Sequence, residues 1–115
     1  MLINFLYNGK NIRKIETSEL KKYLNKKQNK IWIKASNISK EEEKILQEIL
    51  EIHPTTIEDI SAHHTRMKYE EFEGYTFIVF KGIKKIKETF IETYNLSFIV
   101  GEKYIVTINN ETNEI

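Results

Sequence analysis

The sequence predicts an α+β fold, with one mixed, mostly antiparallel sheet and about three helices in an α/β/α-like arrangement. Its 115 residues suffice for one hydrophobic core and are too few for two. Short apolar runs bounded by turn residues recur along the chain, which is typical of β-strands. Between them lie segments whose apolar residues recur every three to four positions, as in amphipathic helices. We therefore expect residues 1–115 to form a single domain.

The predicted elements begin with a hairpin. Leu2–Tyr7 forms a strand that ends at a strong turn dipeptide, Asn8-Gly9, and the second strand lies within Lys10–Ile15. Thr17 or Ser18 then caps a first helix. The apolar residues of this helix, at helical spacing, are Leu20, Tyr23 and Leu24.

The middle of the chain predicts a strand and two helices. Lys30–Lys34 is a short strand, and the capping box of Ser39 and Glu42 opens a longer helix. That helix ends before Pro54, because the residue preceding a proline is disfavoured in helical geometry. Pro54–Ala62 forms a second, short helix, for which Thr55 and a glutamate three positions later offer an alternative start.

The rest of the chain predicts strands. Met67–Phe72 leads into Tyr75–Phe80, which is apolar on both faces and ends at Gly82. Such a strand lies inside a sheet, with helices on each face or with helices on one face and a hairpin on the other. Phe90–Val100 and Tyr104–Ile108 then form a closing hairpin.

The composition excludes several function classes. Lys and Arg total 18 and Asp and Glu total 17, giving a net charge of +1, without the basic excess of nucleic-acid binders. The absence of cysteine excludes disulfides, thiolate metal ligands and a cysteine nucleophile. No apolar run approaches the ~20 residues of a membrane-spanning helix, so we expect no direct insertion of this chain into a membrane.

The chain contains four segments, Trp32-Ile33, Ile52–Ile60, Arg66–Phe80 and Leu96–Thr107, which together resemble the CorA family of magnesium and cobalt transporters. Ile52–Ile60 (IHPTTIEDI) resembles the family's hydrophobic-His-Pro-x-x-x-Glu-Asp signature, and Arg66–Phe80 resembles its next block. The pair Leu96–Val100 and Tyr104–Thr107 resembles its strand, turn, strand element ending in Val-Thr, while Trp32-Ile33 sits where members carry a Trp-hydrophobic pair. The order and spacing of the segments are those of the family.

The resemblance covers Ile31–Ile108 and departs from the family at Met67, where proline is usual. It implies that residues 1–115 are the cytoplasmic N-terminal domain of a CorA-like transporter, truncated before the stalk and transmembrane helices. The implied partners are the other subunits of a homopentamer at the cytoplasmic face of the cell membrane. No enzymatic activity is implied.

Glu58 and Asp59 are the candidate metal ligands. At 100° per residue neither falls on the face of Ile57 and Ile60, so both carboxylates are expected to point away from the core. Adjacent carboxylates repel each other, and a divalent cation such as Mg²⁺ relieves that repulsion. In the CorA family, a Glu-Asp pair here supplies half of an inter-subunit regulatory Mg²⁺ site, with Co²⁺ as a second candidate ion. A purely structural alternative is that both stabilise the helix N-terminus through its dipole.

Two alternatives come from other function classes. A metal-dependent hydrolase would use His53, Asp59, His63 and His64, with Glu58 as the catalytic carboxylate. The Asp59 and His63 spacing suits one helix face, yet no His-Glu-x-x-His pattern is present. The second alternative is a soluble interaction module that binds no metal.

We predict that the chain binds Zn²⁺ only weakly and has no hydrolytic activity, because the ligand set around His63 is incomplete. Calorimetric titration with Zn²⁺ measures this directly. Tight, stoichiometric binding that disappears in His63→Ala would contradict the prediction and favour the hydrolase.

Overall fold

Seven strands form one mixed sheet in the structure, a computed structural model that describes residues 1–62 and 66–110. The strands are β1 (Leu2–Tyr7), β2 (Ile12–Ile15), β3 (Lys30–Ser36), β4 (Lys68–Phe72), β5 (Tyr75–Ile86), β6 (Ile91–Gly101) and β7 (Tyr104–Asn110). Their order across the sheet is β2-β1-β3-β7-β6-β5-β4. In the described part of the chain only β3 and β7 pair in parallel, and the remaining pairs are antiparallel. The predicted α+β class is confirmed.

Three α-helices accompany this sheet within the described ranges: α1 (Leu20–Leu24), α2 (Lys40–Leu50) and α3 (Pro54–Ser61). The predicted capping box of α2 is confirmed, since Ser39 Oγ accepts from the Glu42 N–H at 3.2 Å and Glu42 Oε1 accepts from the Ser39 N–H at 3.0 Å. The predicted cap of α1 is wrong. A short 3₁₀ turn, Thr17–Glu19, precedes that helix, and the Thr17 hydroxyl accepts a hydrogen bond from Asn4 instead.

The helices cover one face of the sheet. Alternate residues of the central strands point to that face and are almost fully buried, as expected for the period of a strand. The sheet supplies Ile33, Phe77, Ile99 and Val106, and the helices supply Leu20, Leu46 and Ile60. All belong to one apolar cluster, so the described residues have a single core.

The opposite face of the sheet is open and rich in aromatic rings. Phe5 and Trp32 stack with ring centroids 5.1 Å apart, and Phe80 meets Phe98 edge-on at 5.9 Å. Trp32 remains 42% exposed and Phe80 48% exposed. Among the residues described, no helix packs on this face. The expectation that both faces of the sheet are covered is therefore confirmed for one face only. The unbroken apolar run of β5 therefore reflects a core on one side and this aromatic surface on the other.

β5 is an interior strand, as predicted, because it pairs with β4 on one edge and with β6 on the other. Its predicted end at Gly82 is wrong, since the strand continues to Ile86. A Cβ atom at position 82 would lie 2.4 Å from the ring of Tyr94 on β6. The glycine therefore accommodates a cross-strand aromatic ring instead of ending the strand.

Phe77→Ala should lower the free energy of unfolding by about 3–5 kcal/mol, because Phe77 is 0% exposed and its loss leaves a cavity. Phe80→Ala removes the same ring from the open face of the same strand and should cost about 1 kcal/mol or less. Urea denaturation of both variants measures the difference. Similar losses would show that the aromatic face contributes as much as the core.

Candidate functional site

The site region begins where α2 ends. Glu51 adopts a left-handed conformation with φ 55°, which terminates α2 and turns the chain into buried Ile52. His53 is the N-cap of α3, and its Nδ1 accepts a hydrogen bond from the Thr55 N–H at 3.1 Å. Pro54 occupies the first helical position, where its missing N–H has no cost. His53 thus starts the helix, and Thr55 does not.

Tyr75 fixes this helix start to the sheet. Its hydroxyl accepts a hydrogen bond from the His53 N–H at 3.0 Å and lies 2.8 Å from the hydroxyl of Thr56. The Thr56 side chain is 0% exposed, so this contact satisfies a buried polar group. The ring of Phe72 stacks on Tyr75 at 4.8 Å. The sequence predicts Tyr75 only as the start of an apolar strand. The contacts of its hydroxyl are not predicted, because their partners lie about twenty positions earlier in the chain.

Glu58 and Asp59 have different surroundings. Glu58 is exposed, as expected. The Asp59 side chain is only 23% exposed, and its Oδ2 accepts a hydrogen bond from Lys68 Nζ at 2.8 Å. The second candidate ligand therefore faces β4, contrary to the expectation that both carboxylates point away from the core. Lys68 was not identified as a site residue, since it lies on a different element from the Glu-Asp pair.

Lys68 also approaches a second carboxylate. Its Nζ lies 3.5 Å from Glu70 Oε1, two positions along β4 on the same side of the strand. The hydrogen bond to Asp59 raises the pKa of Lys68 above its ordinary value, while desolvation acts in the opposite direction. Lys68 consequently stays protonated at physiological pH and places a positive charge between two carboxylates.

The helix-dipole alternative has little support in this geometry. α3 has no acidic residue in its first turn. The Ala62 N–H bonds to the carbonyl groups of both Glu58 and Asp59, so these residues lie in the last turn. That end of the dipole is negative and disfavours carboxylates. The Lys68 ammonium offsets this for Asp59.

The donor set fits part of a Mg²⁺ site. A carboxylate oxygen is a suitable ligand for this hard cation, which binds six oxygens and often keeps several waters. Residues 1–62 and 66–110 contain no group of three or more His, Asp or Glu side chains able to hold a metal ion. His53 uses Nδ1 in the helix cap, while His63 and His64 of the hydrolase alternative lie outside the described residues. Within the described residues, the protein oxygens available to a cation at Asp59 are therefore those of Asp59 and of its exposed neighbour Glu58.

A family model for the CorA-like Mg²⁺ transporter protein matches residues 27–115. The chain belongs to this CorA-like family. The match includes the His53-Pro54 junction and the Glu58-Asp59 pair, so the resemblance noted in the sequence is confirmed. No helix in the described ranges has the length and apolar character required to span a membrane.

Curated relatives agree with this assignment. The chain is 32% identical over 78 residues to the putative metal ion transporter YfjQ of Bacillus subtilis, covering 68% of this chain and 24% of that protein. It is 31% identical over 80 residues to the magnesium transporter ALR1 of Saccharomyces cerevisiae, covering 68% of this chain and 9% of that protein. The chain thus matches a quarter or less of the length of these relatives.

The fold is shared with a solved CorA domain. The soluble domain of CorA from Methanocaldococcus jannaschii superimposes with a TM-score of 0.71 at 18% sequence identity. The match covers 97% of this chain and 41% of that one. The CorA-like fold of the chain is therefore established over nearly its whole length.

Tyr75→Phe should lower the free energy of unfolding by about 1–3 kcal/mol, because it leaves the His53 N–H and the buried Thr56 hydroxyl without their partner. Tyr69→Phe is the matched control, since its hydroxyl bonds to Glu71 at an exposed position. Chemical denaturation of both variants, with the amide NMR signals of α3 as a local probe, measures the effect. Equal stability of the two variants would mean that this hydroxyl does not anchor the helix.

Proposed function

We propose that this chain is a non-catalytic regulatory domain of a divalent-cation transporter, located at the cytosolic face of the membrane and contributing half of an inter-subunit Mg²⁺-sensing site. The observation that carries this proposal is the Asp59 carboxylate. It lies in the family's signature segment, on a helix anchored at its start, and it binds a cationic group. Membership of the family and the magnesium transporters among the relatives support the choice of ion.

Asp59 supplies one oxygen ligand, with exposed Glu58 next to it as a second ligand or a partner for a metal-bound water. A facing acidic residue of a neighbouring subunit in a homopentamer would complete the site. Without a divalent cation, the single Lys68 charge compensates only part of the negative charge of Asp59, Glu58 and the facing acid, and the remaining repulsion loosens the interface. Bound Mg²⁺ bridges them and holds the closed state, with Co²⁺ as a second candidate ion.

The ion shifts the equilibrium only through its higher affinity for the closed arrangement. High cytosolic Mg²⁺ then closes the transporter and stops further uptake, a negative feedback. Several equivalent interfaces in one ring add their contributions, so a modest affinity at each suffices for a marked response. Because one chain holds only part of each site, its own Mg²⁺ affinity should be low.

Asp59→Ala in the full-length transporter should raise the Mg²⁺ concentration for half-inhibition by about tenfold or more, the effect of ~1.4 kcal/mol lost per site. Permeation itself should be unchanged, because Asp59 lies on α3, whose eight residues are too few to span a membrane. Mg²⁺ flux measured against internal Mg²⁺ concentration tests this.

Glu48→Ala is the control, since Glu48 is an exposed acid on the neighbouring helix α2. It changes the net charge equally and should leave the inhibition curve in place. If Asp59→Ala gives the same curve as the unmodified transporter, Asp59 is not a sensing ligand.

A further inference from the structure

We propose that Lys68 is a tethered competitor for the cation at Asp59: its ammonium pairs with the carboxylate when metal is absent and lowers the affinity of the carboxylate for a divalent ion. The inference rests on the proposed function, because it assigns a regulator to the same carboxylate. It adds a residue outside the Glu-Asp pair that sets the metal concentration at which the site fills.

The first argument is steric and electrostatic. Lys68 Nζ donates to Asp59 Oδ2 at 2.8 Å. A Mg²⁺ ion on that oxygen would lie ~2.1 Å from it, next to the ammonium. Two positive charges at this separation repel strongly, since both are partly shielded from water. The Lys68 ammonium therefore opposes metal binding at Asp59 by charge repulsion, and it competes most directly for Oδ2, the oxygen to which it is hydrogen-bonded.

The second argument is that Lys68 has another carboxylate within reach. Glu70 Oε1 lies 3.5 Å from Nζ. A small rotation of the lysine side chain would shorten this contact while lengthening the one to Asp59. When a metal binds Asp59, the ammonium would then remain paired with Glu70. This pairing avoids most of the free-energy cost of an unpaired, partly buried charge. Lys68 thus has two paired positions, one for each state of the site.

The third argument is that β4 fixes the backbone of Lys68 close to Asp59 and leaves its side chain able to rotate. Lys68 is the first residue of β4 and pairs with Val79, whose side chain is in the core, so the lysine stem lies on the helix-covered face. The Lys68 side chain is 30% exposed and that of Glu70 is 39% exposed, so both can still move. A competing group reduces the apparent affinity of a site for metal in proportion to the fraction of sites that the group leaves unoccupied. The tethered Lys68 ammonium acts in the same way.

The test uses the 115-residue chain, labelled with ¹⁵N and titrated with Mn²⁺, whose unpaired electrons broaden nearby amide signals. In Lys68→Gln, the Mn²⁺ affinity reported by the amides of Asp59 and Ile60 should rise about threefold or more, the effect of losing one partly exposed ion pair. Lys34→Gln makes the same charge change on the open face, where Lys34 pairs with Ile3, and should alter the affinity by less than about 1.5-fold. Lys68→Arg retains the charge and should keep the wild-type affinity.

A second variant should change the Mn²⁺ affinity in the opposite direction, and its result does not depend on whether Lys68→Gln folds. Glu70→Gln removes the alternative partner, so Lys68 should hold Asp59 more firmly and Mn²⁺ affinity should fall. Glu71→Gln, at an exposed position next to it, is the charge-matched control. Mg²⁺ added to the Mn²⁺-loaded chain should reverse the broadening in every variant.

The outcomes separate the two proposals. Equal Mn²⁺ affinity at Asp59 in wild type and Lys68→Gln, or no localised broadening in either, would overturn the competitor role. A gain of affinity in Lys68→Gln that is absent when Asp59→Asn is added would support it. If that gain is seen while Asp59→Ala leaves flux inhibition unchanged in the transporter, the sensing function is wrong and the Lys68 competition still holds.

Discussion

The hydrogen bonds of the Tyr75 hydroxyl determine where the candidate site lies. α3 spans only Pro54–Ser61, a length at which an isolated helix is not stable in water. Its start is tied to β5 through Tyr75, which binds the His53 N–H and the Thr56 hydroxyl. Its end is tied to α2, where the Ser61 hydroxyl donates to the Glu43 carboxylate. With both ends held, the carboxylate of Asp59 has a defined position over β4.

This arrangement explains how a partly buried acid is tolerated near the C-terminal end of a helix. The helix dipole disfavours Asp59 there, and its burial adds a desolvation cost. The Lys68 ammonium offsets both effects, and Glu70 Oε1 lies 3.5 Å from the same ammonium. In the metal-free chain, the Lys68 ammonium thus compensates the charge of Asp59. The proposed regulation amounts to exchanging a tethered monovalent cation for a diffusible divalent one.

The sheet divides the molecule into two surfaces of different character. One face is closed by α1, α2 and α3 and contains the core. The other has stacked and edge-on aromatic pairs that remain partly exposed, including Trp32, whose indole N–H donates to the Thr107 hydroxyl. The chain covers 41% of the archaeal soluble domain, which has the same fold over the matched region.

Local signals in the sequence determined much of the fold. The capping box at Ser39, the proline after His53 and the apolar run from Tyr75 each depend on neighbouring residues, so their helix start, helix junction and strand were predicted from the sequence. The Glu-Asp pair was likewise recognised from a contiguous motif, and the family match confirms the family to which that motif belongs.

Contacts between distant parts of the chain were decided only by the tertiary structure. The sequence does not show that all three helices pack on the same face of the sheet. An amphipathic pattern shows which side of a helix is apolar, but not which element that side packs against. Gly82 was predicted to end its strand, but in the structure it pairs with Tyr94 and leaves room for the ring of that residue. The pairing of Asp59 with Lys68 depends on where α3 lies against the sheet, which is set by the packing of Ile57 and Ile60 and by the Tyr75 hydroxyl. Helix caps and strand periods are short-range effects, whereas these contacts require the completed sheet.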